Sequence, residues 1–178
     1  MSQSYGDELK TTFGRLIDGT DLGDRERQFL KLRWLDQVLW MESKAGQAQR
    51  FYYRLRLVTI VGAVIVPALV ALNTLDGTAG RAAQIATWVV SLVVAISAAV
   101  EGFFQFGQRW RNYRSTAERL KIEGWLFLQF AGPYASANGS HADAFRTFAT
   151  RVEDVIQKEV DAYITEVATE KHGSSGSG

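Results

Sequence analysis

His141 and His172 are the only imidazoles in the chain, and there is no cysteine. A protein metal site needs several His, Cys or carboxylate ligands converging on one point, so two distant histidines predict no metal centre. No H-E-x-x-H pattern occurs, and no G-x-x-x-x-G-K-[ST] or G-x-G-x-x-G run precedes a helix, so the sequence offers no zinc-protease motif, no nucleotide cradle and no cofactor site. Ser140, His141 and Asp143 are the residue types of a nucleophile, a base and an orienting acid. They are crowded onto one stretch, whereas working triads are assembled by geometry from separate elements. Asn138-Gly139-Ser140 matches the glycosylation sequon as a pattern only. No catalytic residue is expected, and an enzyme is not.

The informative acid is Glu101, which follows 19 residues without a charge, Ala82 to Val100. A second charge-free run of 19 residues, Leu57 to Leu75, precedes it. Folding one run back on the other about the intervening turn places Arg56 opposite Glu101, an ion pair at the base of a hairpin, and Asn73 opposite Gln84. The alternative use of Glu101 is a ring of carboxylates, one per subunit, with Gln105 one turn away; such a ring favours cations. Ala83, Thr87, Ser91, Ala95, Ala98, Ala99 and Gly102 recur on one helical face. Small residues there permit close helix packing, or line a pore in which Thr87 and Ser91 are weakly polar. Pro67 interrupts the hydrogen-bond ladder of the first run, as a tolerated kink or as a gate.

The elements that must position these residues follow from the same two runs. At a rise of about 1.5 Å per residue each spans roughly 28 Å, near the thickness of a bilayer's hydrocarbon core. The first carries eleven Leu, Ile or Val and the second eight. Whole-chain averages conceal this. The 178 residues are 47% apolar and 22% charged with a formal net charge of +1, and mean hydropathy is −0.08. Those values exclude a disordered chain and a disulfide scaffold, and they make nucleic acid an unexpected partner. Near-neutral hydropathy is here a cancellation between two apolar spans and a remainder dense in charge.

The flanks orient the spans. Lys44, Arg50, Arg54 and Arg56 precede the first; Arg109, Arg111 and Arg114 follow the second. Basic residues stay cytoplasmic, which puts both termini inside and the turn outside. Phe51, Tyr52, Tyr53, Phe103, Phe104, Phe106, Trp110 and Tyr113 then fall at one interface, where amphipathic rings are favoured. The expected order is a weakly ordered segment 1–23, a cytoplasmic helix 24–56, a transmembrane helix 57–75, an outer turn 76–81 and a second transmembrane helix 82–106. A cytoplasmic helix 107–131 continues that span, and Gly132-Pro133 ends it. A loop 132–141, a helix 142–170 and a tail 171–178 complete the chain, the GSSGSG end reading as an appended linker. The first helix shows a stripe of Leu32, Leu35, Leu39, Ala45, Ala48, Tyr52 and Leu55. The last shows Phe145, Phe148, Val152, Ile156, Val160, Tyr163 and Val167, with Ser140 and Asp143 as a capping box.

The run Arg109 to Tyr134 resembles the hallmark of a bacterial two-span membrane family known only as a domain of unknown function, itself similar to the SLATT effector domains. The matching residues are Trp110, Tyr113, Arg114, Thr116, Ala117, Glu118, Leu120, Lys121, Glu123, Trp125 and Ala131 to Tyr134. Arg33-Trp34, Phe51 to Arg54, Pro67, Arg151 to Glu153 and Glu159 fit as well, so the likeness covers roughly residues 28–165. It implies oligomeric pore-formers of bacterial conflict systems, often beside a nucleotide-producing or nucleotide-sensing partner. No such sensor is visible within this sequence, so a cytoplasmic protein or nucleotide trigger stays open. Glu118, Lys121 and Glu123 are expected to pair with basic residues of the N-terminal helix; a ligand role for Arg114, Lys121 or Tyr134 is the minor alternative.

The expected fold is therefore all-α: a membrane helical hairpin whose two transmembrane helices extend into a cytoplasmic helical bundle, assembled as a homo-oligomer in the bacterial inner membrane. Two spans cannot enclose an aqueous path alone, so the leading expectation is a homo-oligomeric ion channel, cation-selective through Glu101. Its partners are the lipid bilayer, other copies of the chain and the conducted ions. The second is a non-conducting membrane scaffold that docks a cytoplasmic partner.

Overall fold

The computed structural model describes residues 2–74, 77–135 and 139–175, and no strand occurs among them. Six α-helices follow in order: α1 (Ser2–Asp18), α2 (Asp24–Phe29), α3 (Asp36–Leu72), α4 (Thr78–Phe104), α5 (Phe106–Leu128) and α6 (His141–Ser175). A π-helical segment, Leu30–Leu35, joins α2 to α3, and a 3-10 turn, Gly132–Tyr134, lies between α5 and α6. The chain divides into two compact units, one formed by residues 1–43 with 112–178 and the other by 44–111.

In the first unit, apolar residues at three- and four-residue spacings meet from several helices. Phe13, Ile17, Leu30, Trp34, Leu120, Phe127 and Phe148 are nearly inaccessible to solvent. Where weak order was expected over residues 1–23, the structure has the helix α1. Leu9, Phe13 and Ile17 fall four residues apart, so a helix puts them on one face, and Phe13 packs edge-on against Trp34 with ring centroids 5.0 Å apart. Burying each such side chain stabilises the fold by about 1.5–3 kcal/mol, which offsets the cost of Gly6 and Gly14, where an added Cβ would meet nothing within 4 Å.

The π segment corrects the stripe read for the N-terminal helix. Its wider turn advances the register by one residue, which buries Leu30, Trp34, Leu35 and Val38 and leaves Leu32 exposed. Trp34 thereby lies over Gly124, where a Cβ would stand 2.0 Å from its ring, and its Nε1 donates to the Leu120 carbonyl at 2.9 Å. Leu120 and Gly124 are one turn apart, so only glycine at 124 admits the indole. The α6 stripe holds through Phe148, Val152 and Ile156; Val160 is exposed, and Tyr163 and Val167 lie outside the described side chains.

The second unit is an antiparallel hairpin of the later part of α3 and α4. Its seam is Leu55, Thr59, Gly62, Val66 and Leu69 on α3 against Gly80, Ala83, Thr87, Val90, Val94, Ser97 and Glu101 on α4, all half-buried or buried. Both sets alternate steps of three and four, the spacing of left-handed knobs-into-holes packing. At Gly62 a Cβ would sit 2.1 Å from a Val94 methyl, so glycine sets the closeness of the helices. Phe51 stacks on Phe106 at 5.3 Å, in the register expected from folding the two runs about the turn.

Candidate functional site

Two helical runs, Asp24–Leu72 and Thr78–Tyr134, are long and apolar enough to cross a membrane, and only 6% of the most apolar window of each is buried. Away from the seam the hairpin presents Leu57, Val64, Trp88, Leu92 and Phe103, each more than 60% exposed. A shallow apolar groove between α3 and α4 of about 350 Å³ is walled by Leu57, Val61, Ile65, Val89 and Val93. No carboxylate or basic group lies on α3 between Arg56 and Leu72, nor on α4 between Arg81 and Glu101.

The residues expected to line a path divide between the seam and its open flank. Thr87 faces the seam and donates its hydroxyl back to the Ala83 carbonyl at 2.8 Å, which spends its only hydrogen within the helix. Ser91 is half-buried; Ala95 and Ala98 are exposed on the flank beside it. Glu101 is half-buried at the seam's end. Arg56 and Glu101 do not form the expected ion pair: Arg56 is exposed, off the seam, and its guanidinium lies 5.8 Å from the Tyr52 ring centroid. Nor do Asn73 and Gln84 hydrogen-bond; the Asn73 N–H donates to the Val70 carbonyl at 3.1 Å as α3 ends, earlier than predicted, and α4 starts at Thr78. Pro67 sits inside α3 and is exposed.

Gln105 departs most from expectation. The second span does not run unbroken into the following helix: α4 stops at Phe104, Gln105 is left-handed with φ 48° and ψ 44°, and α5 begins at Phe106. The Gln105 N–H caps α4 by donating to the Glu101 carbonyl at 2.9 Å, while its own carbonyl accepts from Gln108 and Arg109 at the start of α5. A residue with a side chain is strained in this conformation. The sequence Gly102-Phe103-Phe104-Gln105-Phe106-Gly107 carries two glycines, yet neither takes the left-handed position; at Gly107 a Cβ would meet the Tyr52 ring at 2.8 Å. Likewise α5 ends at Leu128 on a left-handed Phe130, ahead of the predicted Gly132-Pro133 stop.

The ionic groups of the other unit form closed clusters. Lys121 Nζ donates to Glu42 at 2.6 Å and to Glu118 at 2.8 Å, and Arg114 bridges the same two acids at 2.7 and 2.8 Å. Burial lowers the Lys121 pKa, but these two carboxylates outweigh it and leave it above the ordinary value. Glu123 accepts from Tyr134 at 2.8 Å and from Arg151 at both oxygens. Burial raises its pKa; the bonds from Arg151 and Tyr134 prevail and hold it below the usual carboxylate range. The Tyr134 hydroxyl is pushed up by burial and by the Glu123 carboxylate. The pairing expected of Glu118, Lys121 and Glu123 is thus corrected: the N-terminal helix contributes the acid Glu42, and the base for Glu123 comes from α6. Arg33 does pair across elements, with Glu153 at 2.7 Å. Arg114, Lys121 and Tyr134 are thus all engaged within these clusters.

Ser140 and His141 find a carboxylate that sequence order did not suggest. Asp21 accepts from the His141 backbone N–H at 2.9 Å, lies 2.8 Å from its Nδ1 and accepts from Ser140 Oγ at 3.0 Å, capping α6. The His141 backbone bond, with the side-chain bonds from His141 and Ser140, lowers the Asp21 pKa to about 2. Ser140 Oγ bonds the acid rather than the imidazole, so no nucleophile–base contact exists. The Asp143 backbone N–H instead donates to Ser140 Oγ at 3.4 Å. No grouping of three or more metal-ligating side chains occurs among the described residues. Glu42 and Asp21 were missed because their partners lie 79 and 120 residues away, beyond any local pattern.

The family model described as "Protein of unknown function (DUF4231)" matches residues 36–142, more than half the chain, and the chain belongs to that family. No curated protein and no solved structure gives a match.

Proposed function

We propose that this member of the family is a two-span membrane protein that assembles into a homo-oligomeric, cation-conducting channel, with both termini cytoplasmic. One observation carries the reading: a closely packed hairpin whose outward surface is almost wholly apolar and exposed in the single chain. In water that surface costs about 25 cal/mol per Å²; in lipid it costs nothing. The likeness to the SLATT domains favours the same reading.

The channel form rests on the end of α4. Glu101 is half-buried and has no cationic partner within 4.0 Å among the described residues, and the adjoining flank of Ser91, Ala95, Ala98 and Gly102 is smooth enough for a second copy to approach closely. Subunits meeting along that flank bring their Glu101 carboxylates toward one another. The alternative, a non-conducting scaffold, is favoured by Thr87 facing inward rather than toward a path. Mass measurement in detergent followed by planar-bilayer recording separates the two. A channel gives an oligomer of at least three copies and discrete conductance steps; a stable dimer silent under every condition overturns it.

A further inference from the structure

Basic residues are paired at some places in the fold and left exposed at others. Outside 44–111, Arg27, Lys31, Arg33, Arg114, Lys121 and Arg151 each lie within 4.0 Å of a carboxylate. Within 44–111, Arg50, Arg54, Arg56, Arg109 and Arg111 are all exposed, and none has a carboxylate partner among the described residues. The only acid at that end of the hairpin is Glu101. The Phe51–Phe106 stack shows that these arginines share one level of the hairpin, interleaved with exposed Phe51, Tyr53 and Phe103.

Residues 50–56 rise through roughly 9 Å of helix, comparable to the headgroup layer on one side of a bilayer, about 5–7 Å. Guanidinium groups bind phosphate oxygens in a paired fork and do so best where no protein carboxylate competes. Aromatic rings beside them settle at the same depth. We propose that this arginine–aromatic collar binds the phosphate headgroups of anionic phospholipids, giving the protein a preference for acidic over zwitterionic lipid. The inference rests on the membrane reading above. A soluble acidic partner fits less well, because the same turns carry bulky exposed apolar rings that continue directly into the uncharged spans.

The test uses the purified full chain in detergent with equal amounts of phosphatidylglycerol and phosphatidylcholine of identical acyl chains, the retained lipid being counted by native mass spectrometry. Phosphatidylglycerol is expected to be enriched about tenfold, at roughly fivefold per arginine with incomplete additivity. The variant R50Q/R54Q/R109Q/R111Q should lose that enrichment, and the four-lysine version should keep most of it. R119Q/R146Q, which removes two exposed arginines of the other unit, should change nothing. Equal retention of both lipids by the unaltered chain, an undiminished preference in the four-glutamine variant, or displacement of the lipid by millimolar inorganic phosphate would overturn the proposal. Flotation with pure phosphatidylcholine vesicles after alkaline extraction distinguishes the two failures. A chain that stays with neutral vesicles but shows no lipid preference loses only the collar. A chain that leaves them loses the membrane reading and the collar together.

Discussion

Glu123 shows how one side chain can tie three elements together and make the fold sensitive to acid. It stands on α5, accepts from Tyr134 in the 3-10 turn and takes both bonds of the Arg151 fork on α6, with its own side chain only 10% exposed. Its folded pKa lies below the ordinary 4.5. The unfolded chain therefore binds a proton at a higher pH than the folded one. Its contribution is complete above about pH 4.5 and disappears as pH falls through the depressed folded value. Glu123→Gln should cost about 1–3 kcal/mol at neutral pH and flatten the acid limb of the stability curve. Denaturant unfolding of the full chain in detergent, followed by near-ultraviolet circular dichroism at a series of pH values, measures both. An acid limb as steep in the variant as in the parent would assign that sensitivity to other carboxylates, such as Glu153 beside Arg33 or Asp21 at the α6 cap.

Between elements, the break at Gln105 is the feature with the clearest energetic signature. A residue with a side chain held left-handed stores about 1–3 kcal/mol. Gln105→Gly should recover up to about 1 kcal/mol, and the β-branched Gln105→Val should lose more than that, both read as shifts in unfolding midpoint. No stabilisation in the glycine variant would mean that the glutamine side chain itself holds the turn. This break also marks where sequence reasoning stops. The two long apolar helices, their antiparallel register and the α6 stripe to Ile156 were legible, because each is an apolar pattern with many repeats. Gln105 was not: the neighbouring glycines advertise a turn, while Gly107 is committed to admitting Tyr52. The π segment was invisible for a related reason, since one inserted residue changes which leucines are buried without changing their spacing. In α1, Phe13 and Ile17 formed too short a pattern to predict a helix until Trp34 and Trp125 supplied partners. At the candidate site, the place of Glu101 at the end of the seam was legible, but the expected pairing with Arg56 fails because Arg56 projects off the seam.

Across the whole chain, charge is segregated. Residues 44–111 hold seven basic and two acidic side chains, and the remainder holds 13 basic and 17 acidic, so a net charge of +1 hides two units of opposite sign. The basic unit is also the one with apolar, exposed helices, the combination expected of a hairpin that meets a membrane from the cytoplasmic side. On the proposed function, assembly brings Glu101 carboxylates to the mouth of a conducting path, and selectivity is a property of the oligomer rather than of any one chain. Reversal potential in planar bilayers under a KCl gradient, for the parent and for Glu101→Gln, tests this most directly. The parent should reverse toward the potassium equilibrium potential, and Glu101→Gln should shift the reversal toward zero while still conducting. Inserted oligomers that carry no current, or an unchanged reversal potential in the variant, would contradict it.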